Sequence, residues 1–329
     1  MTIRQTFDSF NQFKIVVIGD VMIDSYMWGK VDRISPEAPI PIVTIQNKED
    51  RLGGAANVGL NIKSMGAEPI ILSIIGNDNY GDIFLKLLKH EKLSTEGIIE
   101  SKERITTVKT RILGGNQHLL RVDEEITCDI SSELELKLIN SFKEIIANNK
   151  VNAIIFEDYD KGVITQKIIS EIIHLSNERA IPILVDPKKN NFSYYKNIAL
   201  LKPNFKEFVF GLSAKVEKND FNEISRLANQ YNRENSIESM LITLSEKGVL
   251  IANKNTYSHF DALEIDIADV SGAGDTVISL AALCMAAKIN MEKLAFIANV
   301  AGSLVCEKAG VVQINKQYLL ETLEKQANE

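Results

Sequence analysis

Cysteine is scarce in this 329-residue chain: Cys128, Cys284 and Cys306 stand at spacings that fit neither a disulfide framework nor a metal cluster. Cys284 and Cys306 fall in apolar helical stretches and read as buried free thiols. The four histidines, at 90, 118, 174 and 259, are scattered, so no metal motif and no Ser-His-Asp order can be read from them. Positive charge is in deficit: 37 Lys and Arg face 44 Asp and Glu, a net charge of -7. That excludes nucleic acid as the main partner, since phosphate backbones want a basic face, but leaves room for one small phosphorylated ligand. No stretch reaches the roughly 18 uninterrupted apolar residues of a membrane helix, and MTIRQTFDSFNQFK lacks the apolar run of a signal peptide. The expectation is a cytoplasmic protein with no membrane partner. There is no G-x-x-x-x-G-K-[ST], and the first apolar strand does not run into G-x-G-x-x-G, which excludes a P-loop enzyme and leaves a dinucleotide fold unsupported.

What is present is an ordinary globular composition, 45% apolar and 25% charged. Lys14–Gly19 (KIVVIG) is an apolar run ending in glycine, the mark of a buried parallel strand. Helical spacing follows over residues 53–65, with Gly66 as a stop, and again over 81–93. Further buried strands are expected at 69–75, 152–156, 182–186 and 240–244, with helices near 165–179, 204–211 and 221–233 and a closing helix over 315–328. The alternation predicts a single α/β domain over 1–329, a doubly wound, mostly parallel sheet with helices on both faces. Two segments break it. Residues 21–50 contain PIPIVTIQ, and residues 104–124 hold two alternating runs around Gly114-Gly115-Asn116. Strands without helices between them predict a small separate sheet, a lid. Its exposed edges and apolar face predict a homodimer, with Ile40, Ile42 and Val43 as interface candidates.

The sharpest chemical signal is Asp269-Val270-Ser271-Gly272-Ala273-Gly274-Asp275-Thr276, followed by the apolar run VISLAALCMAA. Glycines opening a helix leave free N–H groups and the positive helix end pointing at one place, an anion site. Asp275 beside it would repel an anion, a cost that makes sense if the carboxylate takes a proton from an attacking hydroxyl. Gly53-Gly54-Ala55-Ala56-Asn57 opens the first helix, where small residues admit a close neighbour and Asn57 offers a donor and an acceptor suited to a diol. Asp20 and Asp24 flank the end of the first strand and are candidate partners for hydroxyls. Asn204 and Glu207 share one helical face, a spacing that fits both a capping box and a seat for hydrated Mg2+ on Glu207. Thr243, Ser245, Glu246 and Gly248 form a strand-to-turn segment able to meet a nucleotide.

Taken together, Gly53–Asn57 and Asp269–Asp275 resemble the paired signature of the ribokinase-like carbohydrate kinases, over almost the whole chain. That resemblance implies a ribokinase-like α/β core, a β-sheet lid over the sugar, and ATP with Mg2+; a monovalent cation is a further candidate. It makes Asp275 the base, the backbone of Gly272, Ala273 and Gly274 the anion hole, Asn204 and Glu207 the nucleotide and Mg2+ motif, and Asn299 a neighbour of the adenine. Arg33–Pro39 (RISPEAP), Arg121-Val122-Asp123 and Asp158–Gly162 (DYDKG) resemble a branch of that family acting on a heptose 7-phosphate. The implied reaction is phosphorylation of the anomeric hydroxyl to the 1,7-bisphosphate, a step towards ADP-heptose and the lipopolysaccharide core. Lys109, Arg111 and Arg121 on the expected lid hairpin, and Lys161, become candidates for the sugar's own phosphate. Asp160 stands where the branch has alanine and adds a negative charge there. The alternatives are a kinase for another sugar, sugar phosphate or nucleoside, and a non-catalytic sugar-binding protein on the same fold.

Overall fold

The computed structural model describes residues 2–115, 117–308 and 310–326. In chain order the N-terminal half runs α1 (Ile3–Ser9), β1 (Lys14–Gly19), β2 (Val21–Ile34), β3 (Pro41–Gly54), α2 (Ala55–Ser64), β4 (Glu68–Gly76), α3 (Asn79–His90), β5 (Ile98–Ser101), β6 (Val108–Gly114), β7 (Gln117–Glu124) and α4 (Ser132–Asn148). It continues with β8 (Ala153–Glu157), α5 (Gln166–Asn177), β9 (Ile183–Asp186), β10 (Ile198–Leu201), α6 (Phe205–Gly211), α7 (Phe221–Asn235), β11 (Ile237–Thr243), β12 (Val249–Asn253), β13 (Thr256–Phe260), α8 (Ala273–Ala286), α9 (Met291–Val305) and α10 (Lys316–Gln326).

Alternate residues of each central strand feed opposite cores, as a sheet buried on both faces requires. Ile15 and Val17 of β1 pack into one core with α2, α8 and α9, while Val16 and Ile18 pack into the other with α4 and α5. The large sheet has the order β13-β12-β11-β10-β9-β8-β1-β4-β5, parallel from β11 to β5 and antiparallel only at β12 and β13. The smaller sheet has the order β3-β2-β6-β7, with β2 and β6 parallel. The doubly wound sheet and the lid are thus both present. The lid hairpin turns at Gly114-Gly115, with Gly115 in the left-handed region at φ +60°; Asn116 lies outside the described residues, as do the last two positions of the closing helix expected over 315–328. Among the described residues no helix is long and apolar enough to cross a membrane.

The carboxyl ends of β1, β8, β9, β10 and β11 meet on one side of the sheet, where ligands bind in parallel α/β folds. They deliver Asp20, Glu157, Asp186, Lys202 and Thr243 to the same edge.

Candidate active site

Helix α8 starts without a side-chain cap. Gly272 takes the N-cap position in the left-handed region at φ +81°, a backbone conformation that favours glycine. A Cβ there would also stand 3.2 Å from Asn57 Nδ2. Asp275, in the first turn, is buried. Its Oδ2 accepts from Asn57 Nδ2 at 2.7 Å and its Oδ1 from the Tyr159 hydroxyl at 2.9 Å. Burial lifts the Asp275 carboxyl to about 6, against the Asn57 and Tyr159 donors, which hold it down.

Asn57 reaches Asp275 because α2 lies alongside α8, joined by a polar seam. Asn61 Oδ1 accepts from Thr276 Oγ1 at 3.2 Å, and Ser279 Oγ donates to the Val58 carbonyl at 3.2 Å. The oxygen of the same Asn57 amide, Oδ1, is buried without a hydrogen-bond partner. Gly53 and Gly54 serve close packing: a side chain at 53 would strike the Asp24 carboxylate, and one at 54, where φ is +59°, the Asp20 carbonyl.

The Asp20 carboxylate accepts the backbone N–H groups of Tyr159 (2.9 Å), Lys161 (3.1 Å) and Val163 (3.1 Å). It knots the loop after β8 to the end of β1. Burial and then Asp158 raise its carboxyl to about 6. Asp24 is ion-paired with Arg111, because β2 and β6 place Tyr26 opposite Arg111 and Asp24 opposite Lys109. Arg51 and Arg111 both lie against the Tyr26 ring, at 4.9 and 5.2 Å from its centroid. Arg121 is spent on Asp123 at 2.9 Å, and Lys161 Nζ on Glu125 at 2.7 Å. Lys109 is half-buried over the Tyr159 ring at 5.8 Å. Burial and the neighbouring Lys161 depress its pKa.

Behind Asp275 lies a group the sequence analysis did not pick out. Lys202 is 2% exposed and its ammonium sits 2.7 Å from Asp186 Oδ2. A Cβ on Gly274 would stand 3.5 Å from the same Nζ, so the ammonium faces the opening of α8. Lys188 pairs with Glu207 Oε1 at 2.7 Å. Burial works against its charge, but Asp186 and Glu207 outweigh it and hold its pKa above the ordinary lysine value. Both oxygens of Glu157, and Asp186 Oδ1, are buried with no hydrogen-bond partner. Burial, then Asp186 and Asp275, push the Glu157 carboxyl well above the ordinary carboxylate range. The signal that could have found them is positional: Asp186 ends a predicted strand, and Lys202 follows the apolar run Ile198–Leu201 that forms β10, at the sheet edge where ligands bind.

Asn204 and Glu207 form the capping box: Asn204 Oδ1 accepts from Glu207 N–H at 2.9 Å, and Glu207 Oε2 from Asn204 N–H at 2.8 Å. Beside the opening of α8 is a cavity of about 360 Å3, lined by Thr243, Ser245, Glu246, Gly248, Ala273, Gly274 and Asn299 among others. Asn299 donates through Nδ2 to the Asp261 carbonyl at 2.8 Å. Among the described residues no three His, Cys, Asp or Glu side chains are grouped to cage a metal. Glu207, the carboxylate expected to seat hydrated Mg2+, accepts from Lys188 Nζ through Oε1 and from the Asn204 N–H through Oε2, so an ion there would keep its waters between itself and the carboxylate.

Residues 12–317 match the pfkB family of carbohydrate kinases. The chain is 37% identical over 296 residues to a protein named bifunctional protein HldE from Campylobacter fetus, covering 90% of this chain and 63% of that one. It is 35% identical over 297 residues to bifunctional protein HldE from Helicobacter pylori, strain HPAG1, with the same coverage. The chain therefore spans less than two thirds of the length of these relatives. Among solved structures, Escherichia coli phosphofructokinase-2 in complex with potassium superposes with a TM-score of 0.80 at 16% identity, covering 96% of this chain and 99% of that one. Arabidopsis thaliana ribokinase complexed with ribose and ATP gives a TM-score of 0.72 at 15% identity, covering 94% and 98%. With the glycine-opened helix, the gripped carboxylate and the lid in place, these matches establish that the chain belongs to the pfkB family of carbohydrate kinases.

Proposed function

We propose that this kinase transfers the γ-phosphoryl group of ATP to the anomeric hydroxyl of a heptose 7-phosphate, giving the 1,7-bisphosphate. The observation that carries the reading is Asp275: a buried carboxylate, fixed by two donors, at the start of a helix opened by glycines. The hydroxyl proton passes to Asp275 as the sugar oxygen bonds to phosphorus and the bridging P–O bond to ADP breaks. The N–H groups at Gly272, Ala273 and Gly274 meet the charge on the transferring oxygens, with the Lys202 ammonium alongside. Asn57, whose amide oxygen is unpartnered, takes a sugar hydroxyl. The nucleotide fits the cavity bounded by Thr243, Ser245, Glu246, Gly248 and Asn299. Glu207 would hold Mg2+, which would supply neutralisation of phosphate charge.

A second phosphate on the sugar is favoured by Lys109. Its ammonium is half-buried and repelled by Lys161, and no carboxylate hydrogen-bonds to it among the described contacts. A dianion would relieve that repulsion. Arg111, committed to Asp24, shapes this corner rather than meeting the phosphate alone. The segments RISPEAP and DYDKG, and the similarity to proteins named HldE, support heptose over other sugars. We assign the protein to the cytoplasm, where ATP is supplied, and to a homodimer joined through the lid.

Asp275→Asn tests the assignment. It keeps the shape and the helix start but cannot accept the proton, so kcat falls by about 10²–10⁴-fold, while ATP affinity and melting temperature stay close to wild type. ADP release is followed with heptose 7-phosphate alongside other sugar phosphates. A kcat within a few-fold of wild type refutes the role of Asp275, and faster turnover of another sugar phosphate refutes the substrate.

A further inference from the structure

Tyr159 occupies a position that the proposed chemistry above does not use. Its hydroxyl is 2.9 Å from Asp275 Oδ1, on the carboxyl oxygen opposite the one held by Asn57. Its backbone is fixed independently, through the N–H given to Asp20. Two ammonium groups approach its ring, Lys109 from the lid at 5.8 Å and Lys188 from the core at 5.3 Å. Burial and the Asp275 carboxylate push the phenol well above its ordinary pKa, so the group is a permanent donor.

The surroundings of Asp275 explain why a neutral donor matters there. Burial and the Asp186 carboxylate on β9 press against its ionised form. Opposing them are the Lys202 ammonium behind the helix opening, Lys188 further out, and the two side-chain donors Asn57 and Tyr159. Each carboxyl oxygen has two lone-pair sites, so with one donor on each oxygen a site is left on each for an incoming hydroxyl. A proton can then be accepted without breaking the grip.

We propose that Tyr159 is a positioning residue for phosphoryl transfer: its hydroxyl stays on Asp275 Oδ1 through the reaction, fixing the carboxylate plane opposite the Asn57 donor. The lysines at its ring tie this donor to the lid on one side and to the core on the other. This rests on Asp275 being the base.

The test is Tyr159→Phe, which keeps the ring and removes the donor. Losing a donor to the charged form raises the carboxyl pKa, so the acid limb of kcat/KM, expected near pH 6 in the wild type from Asp275, moves to higher pH by about one unit. At pH 7 the rate falls about twofold, at pH 5 about tenfold, and it recovers at higher pH, while KM for ATP and the melting temperature are unchanged. In the Asp275→Asn background the same change adds no further loss, because Tyr159 acts through Asp275. Site-specific 3-fluorotyrosine, a stronger donor, moves the limb the other way. An unmoved acid limb, or losses that add in the double variant, overturns the inference. So does a lower KM for heptose 7-phosphate in Tyr159→Phe, which would mean that substrate displaces the hydroxyl. If instead Asp275→Asn itself keeps its rate, the base assignment fails first, and the two failures are told apart.

Discussion

Replacing Lys202 with methionine is the most exacting test of how the site is held together. The side chain is 2% exposed and its ammonium is 2.7 Å from Asp186 Oδ2. Asp186 is itself 4% exposed, and its other oxygen has no hydrogen bond. Methionine fills nearly the same space but leaves Asp186 facing Glu157 and Asp275, with only Lys188 nearby as a counter-charge, 3.9 Å from its Oδ1. Breaking a buried pair from one side costs about 3–5 kcal/mol. At about 2 °C per kcal/mol for a chain of this size, the melting temperature drops by roughly 6–10 °C. Removing the carboxylate as well, in Lys202→Met with Asp186→Leu, takes away the uncompensated charge and returns most of that loss. The assay is thermal unfolding of wild type, single and double variants at pH 7.5 and fixed salt. A drop in the single variant of less than about 2 °C, or a double variant no more stable than the single, would show that the ammonium is not what holds the buried carboxylates.

Two further outcomes follow from the lid. Lys109→Ala removes a half-buried cation that faces Lys161, and KM for heptose 7-phosphate rises about tenfold or more, as loss of a charge-assisted contact worth about 1.5–3 kcal/mol requires, while KM for ATP stays within twofold; equal effects on both substrates would remove the phosphate from this corner. Ile34 and Ile40 at the lid tip are 61% and 58% exposed, so Ile34→Glu with Ile40→Glu should turn a dimer into a monomer by light scattering at micromolar concentration, and a wild-type monomer at that concentration sinks the lid interface.

Much of the core was legible because its strands are buried on both faces and therefore read as unbroken apolar runs; KIVVIG became β1 with its predicted bounds. The opening of α8 was legible because glycine, alanine, glycine and a carboxylate at a helix start is a local pattern. What stayed hidden is non-local. Tyr159, Asp186 and Lys202 lie on three different loops or strand ends, and only the parallel order of β8, β9 and β10 brings them to Asp275. Asp20 has the composition of a ligand-binding residue, yet its acceptors are filled by amides some 140 residues further on, 139 for Tyr159 and 143 for Val163. The lid was visible as a break in the βα rhythm, but its length was not. The outer part of β2 buries neither face, so nothing in Lys30–Arg33 alternates as a half-buried strand would. The 17-residue α4 escaped despite apolar positions at 134, 138, 142 and 145, since its segment carries no chemistry to draw the eye.

The way β2 and β3 leave the core has a mechanical consequence. Each is 14 residues long, a ribbon of roughly 45 Å. Their ladder is continuous from Val21 opposite Gly54 at the buried root to Ile34 opposite Pro41 at the tip, with register shifts at Trp28/Gly29 and Val31/Arg33. Such a ribbon has no door hinge at its base; it behaves as a leaf spring clamped at one end. Its compliance concentrates where the ladder is interrupted, beyond Trp28, so the inner half carrying Asp24 and Tyr26 moves with the core while the outer half bends. The two interruptions lie outside the stretch whose register sets Tyr26 opposite Arg111 and Asp24 opposite Lys109, so bending at the bulges leaves that pairing in place.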